Sequence, residues 1–228
     1  MKIIDVHTHI DYITPDFQSG VVGCVCSATQ EIEWKIMVDL INQDNRVYGA
    51  FGIHPWFVDT ATDDFDKRLE NLLSIDSHYM IGEIGLDKYK PNMEKQMDVF
   101  LKQFDIAIKL KRIVFLHCVG AWDKILYILK QYKKSDLPVI VIHDFNEKEN
   151  IIDRLLQYEN IYFSFGKNFL YGRNSRIERI PSNRIFVESD GKGELLLANI
   201  INKIAEIKNE PDVGNIIYNN TKRVLKNG

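Results

Sequence analysis

The sequence predicts an α/β protein that folds as one (β/α)₈ TIM barrel. Short runs rich in Val, Ile, Phe and Tyr alternate with longer segments of helical periodicity, which is typical of repeated βα units. There are eight such runs in 228 residues, a length that suits a single barrel domain. Histidine or carboxylate side chains follow most of these runs, where barrel enzymes carry their functional groups.

The eight apolar runs predict strands near 2–7, 21–27, 47–53, 79–84, 113–118, 138–143, 161–166 and 185–189. The segments between them are long enough for the crossover helices that parallel strands require. Apolar stripes at helical spacing predict helices over 91–111, 121–133, 146–158 and 193–208. A last helix over 211–225 is expected to close the bottom or the side of the barrel, so residues 1–228 are predicted to form one domain.

Composition and charge exclude several classes of protein. Apolar residues make up 45% and charged residues 27% of the chain, which predicts an ordered globular protein. The net charge of -3 lacks the basic excess of a dedicated nucleic-acid binder, so a polyanionic substrate must be held by local groups or by metal. The three cysteines lie in predicted strands, which favours a reducing compartment. Without a signal-like or membrane-spanning apolar stretch, we predict a cytoplasmic protein with no membrane partner.

The first predicted strand ends in two histidines that share one face. Because side chains alternate along a strand, His7 and His9 point to the same side and can bind one ion. Asp5 has the same parity, and it either accepts a hydrogen bond from a ligand imidazole or serves as a buried polar anchor. A His-x-His pair is weak evidence by itself, and its position after the first strand gives it weight.

Glu83 is a carboxylate inside an otherwise apolar run, Ile81-Gly82-Glu83-Ile84-Gly85. Burying an unpaired charge there would be prohibitively costly, so Glu83 must have a partner. Its two oxygens suit it to bridge two cations between histidines of neighbouring strands. The alternative is an ion pair with a lysine or arginine inside the barrel.

Two further histidines and an aspartate end later strands. His117 and His143 each terminate an almost purely apolar run, and this repetition favours metal ligands over satisfied core residues. Asp190 ends the last strand, which adjoins the first in a barrel. Beside a metal, an aspartate can bind the ion and also take a proton from water, so Asp190 is the predicted base. Glu188 lies one step deeper and is expected to support the site.

His54 follows the third strand and precedes Pro55. It is expected to contact the substrate or stabilise developing charge, with a capping or packing role as the alternative. The predicted catalytic residues are therefore His54, Glu83 and Asp190. The predicted metal ligands are His7, His9, Glu83, His117, His143 and Asp190.

Charged and aromatic side chains near the same end of the barrel are candidates for holding a substrate. Four cations that follow strand ends could bind phosphate: Lys88, Lys167, Arg173 and Lys192. The alternative is that they are ordinary solvated charges. Bases could stack on three aromatic residues: Trp56, Phe169 and Tyr171. The alternative is that these residues pack under the loops.

Three motifs, in this order, resemble the TatD family of metal-dependent deoxyribonucleases, a branch of the amidohydrolase-like barrels. Residues 4–9 resemble its opening D-x-H-x-H, and residues 52–55 its G-x-H-P. Residues 82–87 resemble its highly specific G-E-x-G-L-D. The resemblance implies that the six predicted ligands bind two divalent ions, Mg²⁺, Mn²⁺ or Zn²⁺, and that a hydroxide activated by them attacks phosphorus.

The chain departs from the family pattern on the substrate side. Residues 118–121 read Cys-Val-Gly-Ala where the family usually has an arginine, and residues 143–147 read His-Asp-Phe-Asn-Glu instead of H-C-F-S-G. The proline that usually follows the final block is replaced by Gly191-Lys192-Gly193. The predicted metal ligands are therefore retained, whereas the residues expected around the substrate differ.

Three functional hypotheses follow. The first is an exonuclease-type phosphodiesterase that cleaves DNA from an end. The second is a metal-dependent hydrolase of a small phosphoester, amide or lactone, so the partner is either DNA or a small-molecule ester. The third is a non-catalytic barrel that keeps metal for stability and acts as a binding protein. A PHP-type phosphoesterase also opens with His-x-His, but it needs further ligands that the sequence does not place.

Overall fold

The computed structural model describes residues 1–12, 20–172, 175–191 and 194–227. Eight parallel strands pair in chain order from β1 to β8, which confirms the (β/α)₈ barrel. The strands are Ile3–Thr8 (β1), Val21–Ser27 (β2), Val47–Phe51 (β3), Met80–Asp87 (β4), Val114–Val119 (β5), Ile140–Ile142 (β6), Ile161–Phe165 (β7) and Ile185–Val187 (β8).

An α-helix follows each strand from β2 onward, on the outside of the barrel. The helices are Trp34–Gln43 (α1), Phe65–Leu73 (α2), Met93–Leu110 (α3), Trp122–Leu129 (α4), Glu149–Leu155 (α5), Lys167–Tyr171 (α6), Glu194–Lys208 (α7) and Val213–Asn227 (α8). Among the residues described, none of these helices has the length and apolar character needed to cross a membrane.

Several elements differ in length from the sequence prediction. Strand β6 begins at Ile140 rather than at 138, because the nitrogen of Pro138 cannot donate to a neighbouring strand. Strand β4 instead continues to Asp87, since its last three residues pair with β5. Helices α4 and α5 are shorter than predicted. Because of its length, β4 pairs with β5 both before Glu83, at Ile81, and after it, from Ile84 to Asp87.

The two faces of the sheet form separate apolar clusters. In β5, Val114 and Leu116 pack in the larger cluster, whereas Phe115 belongs to a smaller cluster inside the barrel. Val141 of β6 and Phe186 of β8 also belong to this inner cluster. The same face of these three strands continues, two residues further on, with His117, His143 and Glu188. The polar side chains therefore stand directly above the inner core.

Helix α8 covers the opposite end of the barrel. Its Val224 and Leu225 join the inner cluster together with Met80, the first residue of β4. The amino ends of the strands are thereby shielded from water, and the final helix closes the bottom of the barrel as predicted.

Asp5 of β1 links this first strand to the segment that follows β8, where the barrel closes. Its Oδ1 accepts hydrogen bonds from the backbone N–H groups of Ser189 at 2.9 Å and His7 at 3.2 Å. The backbone N–H of Asp190 also donates to the carbonyl oxygen of His7 at 3.0 Å. Asp5 thus has the anchor role, the second of its two predicted alternatives, and the imidazole of His7 instead contacts Ser27 Oγ at 3.2 Å.

Candidate metal centre

Glu83 lies at the centre of five of the six histidines of the chain. Its Oε2 is 3.1 Å from His7 Nε2 and 3.8 Å from His9 Nε2. Its Oε1 is 2.8 Å from His117 Nδ1, 3.0 Å from His143 Nε2 and 3.2 Å from His54 Nε2. Within the described part of the chain, no ion pair joins Glu83 to a lysine or arginine, so that alternative partner is not found.

The barrel brings these side chains together because each lies in the carboxyl-terminal part of a parallel strand or just beyond it, at the same end of the sheet. His7 is the last residue but one of β1 and Asp190 follows β8, so the two meet across the seam between those strands. His9 Nε2 lies 3.4 Å from Asp190 Oδ1. His7, Glu83 and His117 are buried, whereas the side chains of His9 and Asp190 are 21% and 25% exposed. The latter two therefore form the solvent-facing side of the cluster.

The electrostatics of the cluster favour an ionised Glu83. Burial acts to raise the pKa of this carboxyl, but the surrounding imidazoles, His143 foremost, hold it well below its usual range. Burial likewise acts to lower the pKa of His143, and the carboxylates of Glu83 and Glu188 outweigh burial and raise it well above the ordinary value. The buried carboxylate of Glu83 thus favours positive charge at the positions around it, carried either by a protonated imidazole or by a cation.

Hydrogen bonds fix the ring orientation of two predicted ligands. His9 Nδ1 lies 3.0 Å from the carbonyl oxygen of Ser27, and His143 Nδ1 lies 3.0 Å from Glu188 Oε1. Both partners are acceptors, so each neutral ring carries its proton on Nδ1 and has a lone pair on Nε2. In both residues Nε2 faces the centre of the cluster, which is the arrangement that a metal-binding histidine needs.

His54 has the opposite tautomer. The backbone N–H of Trp56 donates to His54 Nδ1 at 3.1 Å, so a neutral ring must carry its proton on Nε2. Burial lowers the pKa of His54, which favours the neutral ring. Its Nε2–H therefore faces Glu83 Oε1 as a hydrogen-bond donor and has no lone pair for a cation.

The side chains present could hold divalent metal. Three sets have ligand atoms within 4.8 Å of one another, namely His7 with His9 and Asp190, His7 with Glu83 and His143, and His54 with Glu83 and His117. Together the sets contain every predicted ligand and add His54. Within the described residues, the buried Nε2 atoms of His7 and His117 make no hydrogen bond of acceptable geometry, although His7 Nε2 lies 3.1 Å from Glu83 Oε2. Such burial is costly unless a cation or a donor satisfies these nitrogens.

Two buried glutamines of α3 hold the segment before His54 and the end of β4 at Asp87. Gln103 accepts from the backbone N–H of Ile53 at 2.7 Å and donates to its carbonyl oxygen at 3.1 Å. Gln96 makes the same pair of contacts with the backbone of Asp87, at 2.9 Å and 3.1 Å. The sequence prediction missed this role, although glutamines seven residues apart share one helix face and interrupt its apolar stripe.

The cluster lies in a cavity of about 800 Å³ at the carboxyl end of the barrel. The residues that line it include four further carboxylates, those of Asp11, Glu33, Asp144 and Glu147. Among the described lining residues there is no lysine or arginine. The predicted phosphate contacts are thus not supported for Lys88 and Lys167, which are exposed outside this lining, and Arg173 and Lys192 lie outside the described residues.

The three candidate stacking residues have different environments. Phe169 is buried and packs on Phe165 with ring centroids 5.1 Å apart. Tyr171 is 79% exposed but does not line the cavity. Trp56 is 52% exposed and does line it. Packing accounts for Phe169, and Trp56 alone of the three combines exposure with a place in the cavity wall.

Comparison with known proteins shows similar chains that cover almost the whole sequence. The 3'-5' RNA nuclease TATDN2 of Homo sapiens is 25% identical over 91% of this chain, which spans about a third of that protein (33%). The 3'-5' ssDNA/RNA exonuclease TatD of Enterobacter lignolyticus is 26% identical over 89% of this chain and 80% of its own length.

The metal-dependent hydrolase YjjV of Escherichia coli K12 is similar in sequence and in structure. It is 25% identical over 96% of both chains. Its crystal structure superposes with a TM-score of 0.85, covering 97% of each chain. The family model described as TatD related DNase matches residues 4–226. Since that match covers nearly all of its 228 residues, the chain belongs to the TatD-related DNase family.

Proposed function

We propose that this protein is a metal-dependent exonuclease, a single catalytic unit over residues 1–228 that hydrolyses phosphodiester bonds of DNA from a strand end. The observation that carries the proposal is the ring of histidines around Glu83 on the floor of an open cavity. Two of the similar proteins are named nucleases, which supports a nucleic acid as substrate. A cavity at the end of a barrel admits a single strand more readily than a duplex.

Two divalent ions, Mg²⁺, Mn²⁺ or Zn²⁺, suit this donor set. His7, His9 and Asp190 would hold one ion, His117 and His143 would hold the other, and Glu83 would bridge them. The support lies in the Nδ1 contacts of His9 and His143, which direct Nε2 toward the proposed ions, and in the buried Nε2 atoms of His7 and His117, which make no hydrogen bond within the described residues. When bound, the ions supply Lewis-acid activation of the phosphoryl group and of water.

Asp190 is the proposed general base. Its carboxylate lines the cavity and is partly exposed, so it can contact both a water molecule and the substrate. As the bond between the water oxygen and phosphorus forms, Asp190 takes the water proton, and the bond from phosphorus to the leaving sugar oxygen breaks. The leaving oxygen then takes up one proton while Asp190 releases the one it accepted, directly or through solvent, which balances the reaction and regenerates the base.

His54 is proposed to stabilise charge rather than to bind metal. Its Nε2–H is a donor because Trp56 occupies Nδ1, and burial keeps the ring neutral by lowering its pKa. That N–H faces Glu83 Oε1 in this structure. If the proposed ions held Glu83, the N–H could instead donate to a phosphoryl oxygen and stabilise the negative charge that develops there. The set of His54, Glu83 and His117 is therefore assigned as two ion-binding side chains with a hydrogen-bond donor beside them.

Digestion of end-labelled single-stranded DNA, with each metal in turn, tests the proposal. We expect shortening from one end that requires metal and is abolished in Glu83→Ala and strongly reduced in Asp190→Asn. His78→Ala is the matched control, since His78 is exposed and pairs with Asp76 away from the cavity. Full metal content after combined loss of His7, His9 and Glu83 would refute the ligand assignment.

A small-molecule ester is the second candidate substrate. The observation that favours it is the cavity wall, which has carboxylates but no lysine or arginine among its described residues and so offers no cation to a polyanion. A panel of small phosphoesters, amides and lactones, run beside the DNA digestion, separates the two. Turnover of a panel member without cleavage of DNA would replace the exonuclease proposal. Bound metal without turnover of any substrate would instead indicate a binding protein.

A further inference from the structure

We propose that Trp56 forms a nucleobase-binding subsite beside the metal centre, on which one base of the bound strand stacks. The inference rests on the proposed function, and it names the group that holds the substrate next to the reacting phosphate. Aromatic side chains bind single strands in this way because every base has a π face, so the contact is independent of sequence.

Trp56 is exposed where tryptophan is usually covered. The other two tryptophans, Trp34 and Trp122, are each 6% exposed, whereas Trp56 is 52% exposed in the wall of the cavity. A large apolar ring left in contact with water gives up the free energy of burial that the other two obtain. That free energy becomes available when a flat apolar ligand covers the ring.

The ring is held in place from its edge and from its backbone. Its Nε1–H donates to Asp87 Oδ2 at 2.7 Å, and its backbone N–H donates to His54 Nδ1 at 3.1 Å. Asp87 is itself fixed, since its backbone is bound by Gln96 and its Oδ1 accepts from the backbone N–H of Tyr89 at 2.9 Å. A ring fixed in this way loses little conformational freedom when a ligand binds, which favours affinity.

The platform adjoins the residues that surround Glu83. The Trp56 ring centroid is 5.3 Å from that of His54 and 6.5 Å from that of His117. Both of those histidines contact Glu83 Oε1, at 3.2 Å and 2.8 Å. A base on Trp56 would therefore belong to a nucleotide that adjoins the phosphate at the metal centre.

Stacking suits this cavity better than charge does. The carboxylates in the wall repel further phosphates, and no lysine or arginine is found among the described lining residues. Lys90 lies just outside this lining, and its Nζ stands over one face of the Trp56 ring, 3.9 Å from the centroid. A base that stacks on this face would displace the ammonium, which could then meet the phosphate that follows the base.

The first experiment compares two single strands that differ in one chemical feature. One has ordinary nucleotides at the cleaved end, and the other has abasic tetrahydrofuran residues there. We expect the wild type to prefer the ordinary strand about tenfold in kcat/KM, the size of one base-stacking contact. Trp56→Leu should reduce this ratio to about one, and Trp56→Phe should retain most of it. A ratio that Trp56→Leu leaves unchanged would overturn the proposal.

The ratio separates stacking from a general loss of activity. Both Trp56 variants lose the hydrogen bond to Asp87, but only Trp56→Leu loses the aromatic face. A disturbed His54 would slow both strands alike and leave the ratio intact. Tyr127→Leu is the matched control, because Tyr127 is an exposed aromatic residue of α4 that does not line the cavity.

The second experiment measures binding without catalysis. In chelator, the dinucleotide dT-dT is expected to quench the emission of the exposed Trp56 with saturation, and Trp56→Phe should abolish the quenching because the remaining tryptophans are buried. Saturable quenching in a protein that cleaves no strand would keep the subsite and refute the exonuclease. Cleavage with neither strand preference nor quenching would keep the exonuclease and refute the subsite.

Discussion

Glu188 Oε1 accepts a hydrogen bond from His143 Nδ1 at 3.0 Å and another from the backbone N–H of Asp144 at 2.8 Å. Glu188 is fully buried on the inner face of the barrel, two residues before Asp190. One carboxylate thereby sets the proton position on a proposed ligand and fixes the loop that begins beside it. Glu188 therefore helps to place His143 Nε2 near Glu83, although no contact between Glu188 and Glu83 is found among the described residues.

Removing Glu188 is therefore expected to weaken metal binding. Glu188→Ala should lower the affinity for the proposed ions about 10- to 100-fold, because His143 loses the partner that orients it. Glu188→Gln keeps an acceptor oxygen and should have a smaller effect. Competition with a coloured chelator measures the affinity, with the exposed Glu178→Ala as control. Equal affinities in all four proteins would contradict this role.

Substitution of His54 and substitution of His143 are expected to have different effects on bound metal. His54→Ala should retain its metal and lose about 10²- to 10³-fold in kcat, because it removes a donor and leaves the proposed ligands in place. His143→Ala should lose metal as well as activity. Elemental analysis of the dialysed proteins, together with initial rates, distinguishes the two. Loss of metal from His54→Ala to the same extent would make His54 a ligand.

Gln103 is expected to stabilise the fold through the segment before His54. Its side chain satisfies both backbone polar groups of Ile53, and Gln103→Leu would leave these two groups buried without partners. We expect a loss of about 2–4 kcal/mol in the free energy of unfolding, from the cost of two unpaired buried groups. Urea denaturation measures it. Gln131→Ala, which loses one exposed hydrogen bond to the carbonyl oxygen of Tyr127, should change it little.

Asp5 is expected to make the metal-free protein less stable as the pH rises. Burial raises the pKa of Asp5 from the ordinary 3.8 to about 7, so between these values the folded chain binds a proton that the unfolded chain releases. Its contribution to stability is complete below pH 4 and is lost as the pH rises toward 7. The loss has an upper limit of about 4 kcal/mol, at 1.36 kcal/mol for each pKa unit.

The substitution Asp5→Asn tests this dependence. It keeps an oxygen that can accept from Ser189 and His7 and removes the titration, so it should flatten the profile and stabilise the protein near neutral pH. Thermal unfolding in chelator from pH 4 to 8 gives the profile. The exposed Asp39→Asn is the control, and an unchanged slope in Asp5→Asn would exclude Asp5 as its source.

Much of the candidate site is predictable from local pattern. Because a strand has a two-residue period and all parallel strands end at one edge, positions such as His7, His117 and His143 predict a common cluster without any coordinates. The distances around Glu83 agree with that expectation of proximity. The roles of these residues as metal ligands stay predictions.

Contacts between distant segments are not predictable in this way. The sequence alone does not distinguish a ligand from a donor at His54, since that depends on which ring nitrogen the Trp56 N–H reaches. Nor does it show that Gln96 and Gln103 bind the backbone of Asp87 and Ile53, or that Asp5 bonds to Ser189 rather than to the His7 ring. These contacts depend on side-chain directions after packing.

The sequence by itself determined the eight-stranded barrel and the end at which its polar side chains gather, because both follow from the periodicity of apolar residues along the chain. Only the tertiary structure decided the protonation geometry of the imidazoles, the acidic wall of the cavity and the exposure of Trp56. The physical reason is that hydrogen-bond partners and solvent exposure are set by residues far apart in sequence. Their positions are defined only when the strands close around the inner core.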